Sequence, residues 1–574
     1  MVMKQLAIIG MGPRGLYALE NLLMHLGQLQ LQVGIRVFEP SDQPGAGQVW
    51  HSKQPDSNWT NTSERGLGRV TSRSQITYGN CTIEEFPSYS TWYRIEQHDK
   101  AIDTFPPRHK LGKYLHERYK SMEKVLINLD SFNFINAEVQ NINFDNNSFY
   151  ISTNDSTWTS DDVLLTIGHQ PTQLSDDILR WQNHSIKDHQ LFFIEDTYPI
   201  SQLKDIRNNT DINIGIRGFG LTMIDVMRYL SINKFGDFKV INSSTLKTVY
   251  DKSEEQNLKL IPFSSYGLPL VPKPLNKAID SWFAPTIGEL NKFKTEIEAI
   301  SKTSCTTHSI RFLTEPFAEI TARIFIDLKE KAIPHSHTKS EIKVIILNLL
   351  DDINYTHHLL QDESIPTYPL IERYIAMALG QAPLTLDYCI GQVWRHCQPT
   401  LYQAFSHANV DTKIIEQVLS LNDRSKRYSY GPPIESMQQI LALVDVGILT
   451  FDYIKDPDIT LVTDGWRMKN DKGDSTICAM MINSVLDEPK LLNTTSPIFK
   501  QLLHDELIRP IHPEFGVHTS KNGYIKLLPN QPQIPLAILG RMAKGSVIGV
   551  DSISECFGQR IEDWAQYYIS SLQS

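Results

Sequence analysis

Gly10-Met11-Gly12-Pro13-Arg14-Gly15 has the spacing G-x-G-x-x-G, and Glu39 follows at the end of the next apolar run. Three glycines at that spacing serve three ends. Gly10 permits the tight turn, Gly12 lets a pyrophosphate approach the backbone, and Gly15 lets a helix lie close on a strand. A helix starting there offers free N–H groups and the positive end of its dipole to phosphate. Glu39 stands where a carboxylate accepts from a ribose hydroxyl. Together these residues read as a dinucleotide site, the alternative being a structural turn with no ligand. Gly45 and Gly47, in Gln43-Pro-Gly-Ala-Gly-Gln-Val-Trp50, offer backbone N–H groups to a second part of a long cofactor.

Weaker chemistry follows along the chain. Asn61 and Thr62 close the polar, aromatic stretch Asn58-Trp-Thr-Asn-Thr62, which reads equally as a surface loop. Arg108 opens a helix after Phe105-Pro-Pro, against the dipole preference, and suits either an anionic partner or plain solvent. The run Gly218-Phe-Gly220-Leu221-Thr222 repeats the opening theme between a strand and a helix, with Met223 in place of the third glycine. It reads as a second dinucleotide site or as a nucleotide fold without a ligand. Gly540 to Gly549 and Asp551 form a last glycine-rich turn, whose N–H groups can reach a ring or the ribityl–phosphate part of a cofactor. His335-Ser-His337 and His357-His358 have no third ligand at fixed spacing, so they are read as solvated side chains and no metal is expected.

These residues need particular elements around them. Leu6 to Ile9 is a short buried strand, Leu16, Leu19, Leu22, Leu23 and Leu26 recur at helical spacing, and Val33 to Phe38 is a second strand. Between 125 and 166, four period-two runs, starting at Phe132, Val139, Ser148 and Asp162, predict a small antiparallel meander. Residues 275 to 450 read mostly helical, too long for a loop. The string Gly391 to Pro399 leads into one of those helices. Strands return after Phe451, with Gly523 to Leu527 and Pro535 to Leu539 among them, and Ser552 to Leu572 is a final helix.

The 574 residues suffice for three or four domains. A 41% hydrophobic and 21% charged composition is ordinary for a globular protein. With 55 basic against 65 acidic residues the formal charge is −10, which argues against a nucleic-acid partner. No signal core is visible and no apolar run approaches the roughly twenty residues that span a bilayer, so a cytoplasmic location without membrane contact is expected. Six cysteines (Cys81, Cys305, Cys389, Cys397, Cys478, Cys556) include no C-x-x-C pair and read as free thiols.

Taken together, Gly10-x-Gly12-Pro-Arg-Gly15-Leu16, Phe38-Glu-Pro40 with Gly45-Ala-Gly47-x-x-Trp50, Asn61-Thr62, Pro107-Arg108, Thr166-Ile-Gly168, Gly218-x-Gly220-Leu-Thr-x-x-Asp225 and Leu539-Gly540-Arg541 through Gly549-x-Asp551 resemble the two-dinucleotide-domain flavoproteins. Within them the chain is most similar to amino-acid N-hydroxylating monooxygenases of the aspartate N-monooxygenase kind. The resemblance covers both ends of the chain and not the helical stretch. It departs at Ser484-Val485, where relatives carry Thr-Gly, and at Ser264-Ser-Tyr-Gly267, which lacks an arginine.

The resemblance implies an α/β fold: two Rossmann-like dinucleotide-binding domains with a large, mostly helical insertion. Its expected parts are an FAD domain at 1–205 and 505–574, a second dinucleotide domain at 206–275 and 451–504, and an insertion on the substrate side at 276–450. It also implies FAD, with its pyrophosphate at Gly10 to Gly15, its adenosine ribose at Glu39 and its flavin end at the carboxy-terminal turn. Pro40, Trp50 and Gly168 complete that site, NADPH or NADH lies at Gly218, Gly220, Leu221 and Thr222, and Arg108 faces substrate. The implied reaction uses O₂ to hydroxylate a small substrate, an amine nitrogen by analogy, through a flavin C4a-hydroperoxide, with the catalytic residues left unassigned. An NAD(P)H dehydrogenase or oxidase, or a flavin-binding protein with a vacant second site, are the alternatives.

Overall fold

In a computed structural model of the chain, residues 3–95, 98–188, 191–208, 211–232, 235–253, 257–302 and 307–573 are described. Cys305, read above as a free thiol, lies outside them. Nine strands make two parallel sheets: β1 (Gln5–Ile9), β2 (Gly34–Phe38), β3 (Phe132–Ile135), β4 (Asp162–Leu165), β5 (Phe192–Ile194), β6 (Asp211–Arg217), β7 (Asn257–Phe263), β8 (Met480–Asn483) and β9 (Leu536–Ile538). The first has the order β9-β4-β1-β2-β3 and the second β5-β8-β6-β7. Ile8 sits beside Val37 on one side and Leu164 on the other. The strand order reverses between β1 and β4, where a doubly wound sheet leaves a crevice at the carboxyl ends of its strands.

Both faces of the first sheet are covered, as parallel strands require. Leu6 and Ile8 point into a core shared with helix α1 (Pro13–Gln28) and helix α2 (Arg108–Leu126). Ala7 and Ile9 point the other way, onto an antiparallel trio (Asn141–Asp145, Ser148–Ser152, Thr157–Ser160) and the helix Pro497–His504. The expected meander is therefore smaller. The runs at Phe132 and Asp162 are β3 and β4, paired in parallel to β2 and β1. Period two describes a strand without saying which way its neighbour runs, and β4, buried at every residue, is a central strand.

In the second unit, helix α3 (Leu221–Ser231) follows β6, and its Met223 and Met227 share one core with the helical insertion. That insertion contains Ile287–Ser301, Arg311–Asp327, helix α4 (Lys339–Asp351), Thr367–Ala378, Leu386–Phe405, Thr412–Ser429 and Ile434–Asp445. The string from Gly391 to Pro399 lies inside the helix Leu386–Phe405 rather than ahead of it. Phe192–Ile194, on the amino-terminal side of residue 206, pairs with Met480–Ile482 and belongs to the second sheet. Gly523 to Leu527 makes isolated bridges, not a strand. Helix α5 (Gln559–Gln573) brings Trp564 and Tyr568 onto the α1 side of the first sheet, so the two ends of the chain fold as one body. No helix among the described residues is long and apolar enough to cross a membrane.

Candidate functional site

The first glycine turn has the geometry its spacing requires. Gly10 has φ +92°, in the left-handed region, and its N–H donates to Phe38 O at 2.8 Å. A Cβ on Gly15 would stand 2.4 Å from Gly10 O and 3.0 Å from Thr166 Oγ1, so α1 lies directly on the turn. At Gly12 a Cβ would meet only Gly47 Cα, at 3.8 Å, an ordinary contact distance, so two glycine backbones lie close together with no side chain on either. Gly12 caps α1 without a side-chain hydrogen bond, and no acidic residue occupies the first turn. The helix end keeps its free donors. Arg14 adds a buried Nε with no hydrogen-bond partner. An uncapped helix end, a backbone without a Cβ at Gly12 and an orphaned guanidinium nitrogen are what a pyrophosphate needs.

Glu39 is 7% exposed and accepts from Met11 N–H at 2.6 Å and Ser41 N–H at 2.9 Å. Burial pushes its pKa up, against those two bonds. Gly45 has another duty: its N–H is given to Met11 O, and a Cβ would stand 2.6 Å from Leu115 O on α2. Trp50 presses its carbonyl so close to Gly112 that α2 admits no side chain there. Pro40 is exposed beside Glu39.

The carboxy-terminal turn closes on the same place. Arg14 donates to Val550 O, and a Cβ on Gly540 would stand 3.5 Å from Arg14 Cδ. Arg541 binds Asp551 at 2.8 Å and His169 Nδ1 at 2.6 Å, next to Gly168, where a Cβ would have nothing within 4 Å. Burial opposes the charge of Asp551, yet Arg541 and Lys426 hold its carboxyl well below the usual range. Burial and then Arg541 pull His169 down to about 4, leaving it a neutral acceptor. Gly549 admits Tyr402, whose ring would lie 2.3 Å from a Cβ.

In the second unit Gly218 has φ +118° and backs onto Ser484 Oγ, 2.6 Å from where a Cβ would be. Ser484 fixes that strand end by donating its N–H and hydroxyl to Arg217 O at 2.9 and 2.8 Å. Gly220 caps α3 with no side-chain hydrogen bond and open space over its Cα, with Leu221 and Thr222 opening the helix.

Arg108 does not face open solvent. It donates to Asp225 Oδ2 at 2.6 Å, Tyr198 hydroxyl at 3.1 Å and Trp59 O at 3.2 Å, tying α2 of the first unit to α3 of the second. With every branch of the guanidinium engaged, the expected substrate contact is taken by a carboxylate of the protein itself. Beside it Arg228 stacks on the Trp59 ring at 3.8 Å, its pKa drawn down to about 10 by burial despite Asp225. Thr62 O accepts from Thr60 Oγ1 at 2.6 Å, and Asn61 O accepts from Lys273 Nζ.

Lys273 was missed in the sequence, where Pro272-Lys-Pro274 reads as a break. Burial, then the nearby Arg395, brings its ammonium down to about 7, against Asp280 and Asp103. Asp280 gathers Arg65 at 3.2 Å, His396 at 3.1 Å and Arg395. Burial disfavours that carboxylate, but Arg395 and His396 hold it strongly ionised. Perturbed groups of this kind, at the seam of two nucleotide units and the insertion, mark a candidate substrate face.

Three of the four histidines read as solvated side chains come together. Nitrogens of His337, His357 and His358 all lie within 4.8 Å of one another. Sequence spacing hides this because α4 lies between them and the segment after it returns to the helix start.

A segment of nitrosuccinic acid synthase from Aspergillus oryzae is 34% identical over 112 residues, 19% of this chain and 17% of that protein. Ornithine hydroxylase from Pseudomonas aeruginosa aligns over 100% of both chains at 10% identity and TM-score 0.45. L-lysine 6-monooxygenase from Pseudomonas syringae aligns over 99% of both at 9% identity and TM-score 0.45. At these scores the two structures decide neither fold nor reaction. Residues 7–170, the segment that carries the glycine turn, Glu39 and Gly168, match the FAD-NAD(P)-binding family.

Proposed function

We propose that this protein is an FAD-dependent, NAD(P)H-driven monooxygenase of the cytoplasm that hydroxylates the amine nitrogen of an amino acid or a similar small compound. The observation that carries the reading is the meeting of Arg14 with Val550 and Gly540 over the uncapped start of α1, a helix inside the segment 7–170 that matches an FAD-NAD(P)-binding family. The partial match to nitrosuccinic acid synthase favours nitrogen oxidation over simple reduction. When bound, FAD would supply the redox chemistry that links NADPH or NADH to O₂.

The chain's own residues then have distinct tasks. Gly12, Arg14 and the first N–H groups of α1 hold the pyrophosphate, and Glu39 takes the adenosine ribose. Gly540, Gly549 and Asp551 shape the flavin end, and Gly218, Gly220, Leu221 and Thr222 admit the nicotinamide cofactor. The insertion at 276–450 bounds the substrate side. Arg108, tied to Asp225, fixes one unit against the other and so positions the nicotinamide unit over the flavin unit. An amine is nucleophilic only when neutral. Lys273 Nζ, with a pKa of about 7, accepts the proton that a substrate ammonium must lose.

The test is a coupled assay on purified protein. It is expected to be yellow, to bleach anaerobically with NADPH or NADH, and to consume O₂ in step with a hydroxylated product when amino acids are offered as a panel. Colourless protein that refuses added FAD overturns the reading. Peroxide released with no hydroxylated product from any amine makes the protein an oxidase.

A further inference from the structure

Among the described residues one group of three or more His, Cys, Asp or Glu side chains is arranged to hold a metal ion, and it lies outside the dinucleotide turns. His337 precedes Thr338, the N-cap of α4, and His357 and His358 follow that helix. The ring centroids of His357 and His358 are 4.3 Å apart, and His337 lies 5.4 and 5.2 Å from them. Nδ1 of His337 is buried with no hydrogen-bond partner, and so is Nδ1 of the adjoining His335. A buried ring nitrogen left without a partner calls for a ligand.

We propose that His337, His357 and His358 bind one Zn²⁺ ion. Imidazole is a good ligand for zinc, and three protein ligands leave the fourth tetrahedral position to water or a small anion. Nitrogens that lie within 4.8 Å of one another would draw in to about 3.3 Å apart to share a tetrahedral zinc at about 2.0–2.1 Å. Their scaffold is firm: Thr338 and Glu341 form a capping box at one end, and the Tyr355 ring lies nearly parallel to His357. Ligation by either nitrogen of His357 ends the 3.2 Å bond from Leu359 N–H to its Nδ1, so one long hydrogen bond is exchanged for one metal bond. Zinc here ties the segment after α4 to the residues before it.

The proposal is tested on full-length protein without a histidine tag, stripped of metal and titrated with ZnCl₂ at pH 7.5 in a calorimeter. One equivalent of Zn²⁺ is expected to bind and to raise the melting temperature. The triple variant His337→Gln, His357→Gln, His358→Gln is expected to lose at least tenfold in affinity and the whole thermal shift, while keeping the FAD content of the parent. His504→Gln, an exposed histidine elsewhere, is expected to change neither. X-ray absorption of the zinc-loaded parent, which needs no variant to fold, should show imidazole nitrogen and no sulfur around the metal. Failure of the parent to bind one equivalent, tight binding retained by the triple variant, or sulfur ligation overturns the site. FAD content and hydroxylation are separate readouts, so this outcome and that of the monooxygenase reading can differ.

Discussion

Gly12 and Gly15 sit three residues apart in one turn, and the structure assigns them opposite costs when a methyl group is added. At Gly15 the new Cβ falls 2.4 Å from the Gly10 carbonyl oxygen and 3.0 Å from Thr166 Oγ1. The nearer atom is backbone, so α1 or the turn must move. Overpacking of this kind costs up to ~3 kcal/mol, and the better helix propensity of alanine returns at most ~1 kcal/mol. Gly15→Ala should therefore lose about 2 kcal/mol in urea unfolding of the FAD-free protein. At Gly12 the Cβ meets only Gly47 Cα at 3.8 Å, and φ −77° with ψ −166° is open to any residue. Loss of a good N-cap and the reduced freedom of the unfolded chain roughly offset, so FAD-free Gly12→Ala should stay within ~0.5–1 kcal/mol of the parent. Its methyl group, however, fills the path of the pyrophosphate. FAD affinity should fall at least tenfold, about 1.4 kcal/mol. The assay compares unfolding with and without FAD, since ligand at a hundredfold over Kd stabilises by about 2.7 kcal/mol. The parent should show that gap, Gly12→Ala should lose much of it, and Gly15→Ala should start lower. A Gly12→Ala protein that holds FAD as tightly as its parent would refute the placement of the pyrophosphate at Gly12.

Four further outcomes follow from named groups. Lys273→Met should lower coupled hydroxylation about a hundredfold and abolish the rise in rate that the parent shows as pH passes about 7, with FAD content unchanged; a variant retaining that rise excludes Lys273 as the base. Arg108→Met leaves Asp225, 3% exposed at its side chain, without its cation, and should cost about 3 kcal/mol in urea unfolding; a double-mutant cycle with Asp225→Asn should recover part of the loss. Gly220→Val should leave FAD bound but slow its anaerobic bleaching by NADPH or NADH, measured by stopped flow, because the added side chain occupies the open space at the start of α3. Burial raises Asp162 to about 6, so the folded state holds the extra proton and stability falls as pH climbs from about 4 to 6; Asp162→Asn should remove a penalty of up to about 3 kcal/mol at pH 7.5 and none at pH 3.5, read by urea unfolding at both.

What the sequence made legible, and what it hid, divides along a physical line. Gly10, Gly12 and Gly15 were readable because their roles are backbone roles, fixed by residues three apart, and the strand and helix they join are neighbours in the chain. β1, α1 and β2 follow for the same reason. β3 and β4 were seen as strands but given the wrong neighbours, since direction of pairing depends on what the chain does between them and not on period. Gly45 and Arg108 were given to ligands because a glycine in a loop or an arginine at a helix start carries no mark of which element will approach it. Leu115 O on α2 claims the space beside one, and Asp225 on α3 claims the charge of the other. Lys273 was passed over because a lysine between two prolines reads as a break in the chain, and its shift comes first from burial and then from Arg395, far along the chain on a helix of the insertion. The histidines follow the same rule: His337 and His357 meet because α4 and the segment after it fold back, a fact of tertiary path with no fixed spacing to announce it. Sites built from adjacent backbone declare themselves in the sequence; sites built where separate elements converge, as the seam at Lys273 is, need the fold before the chemistry can be read.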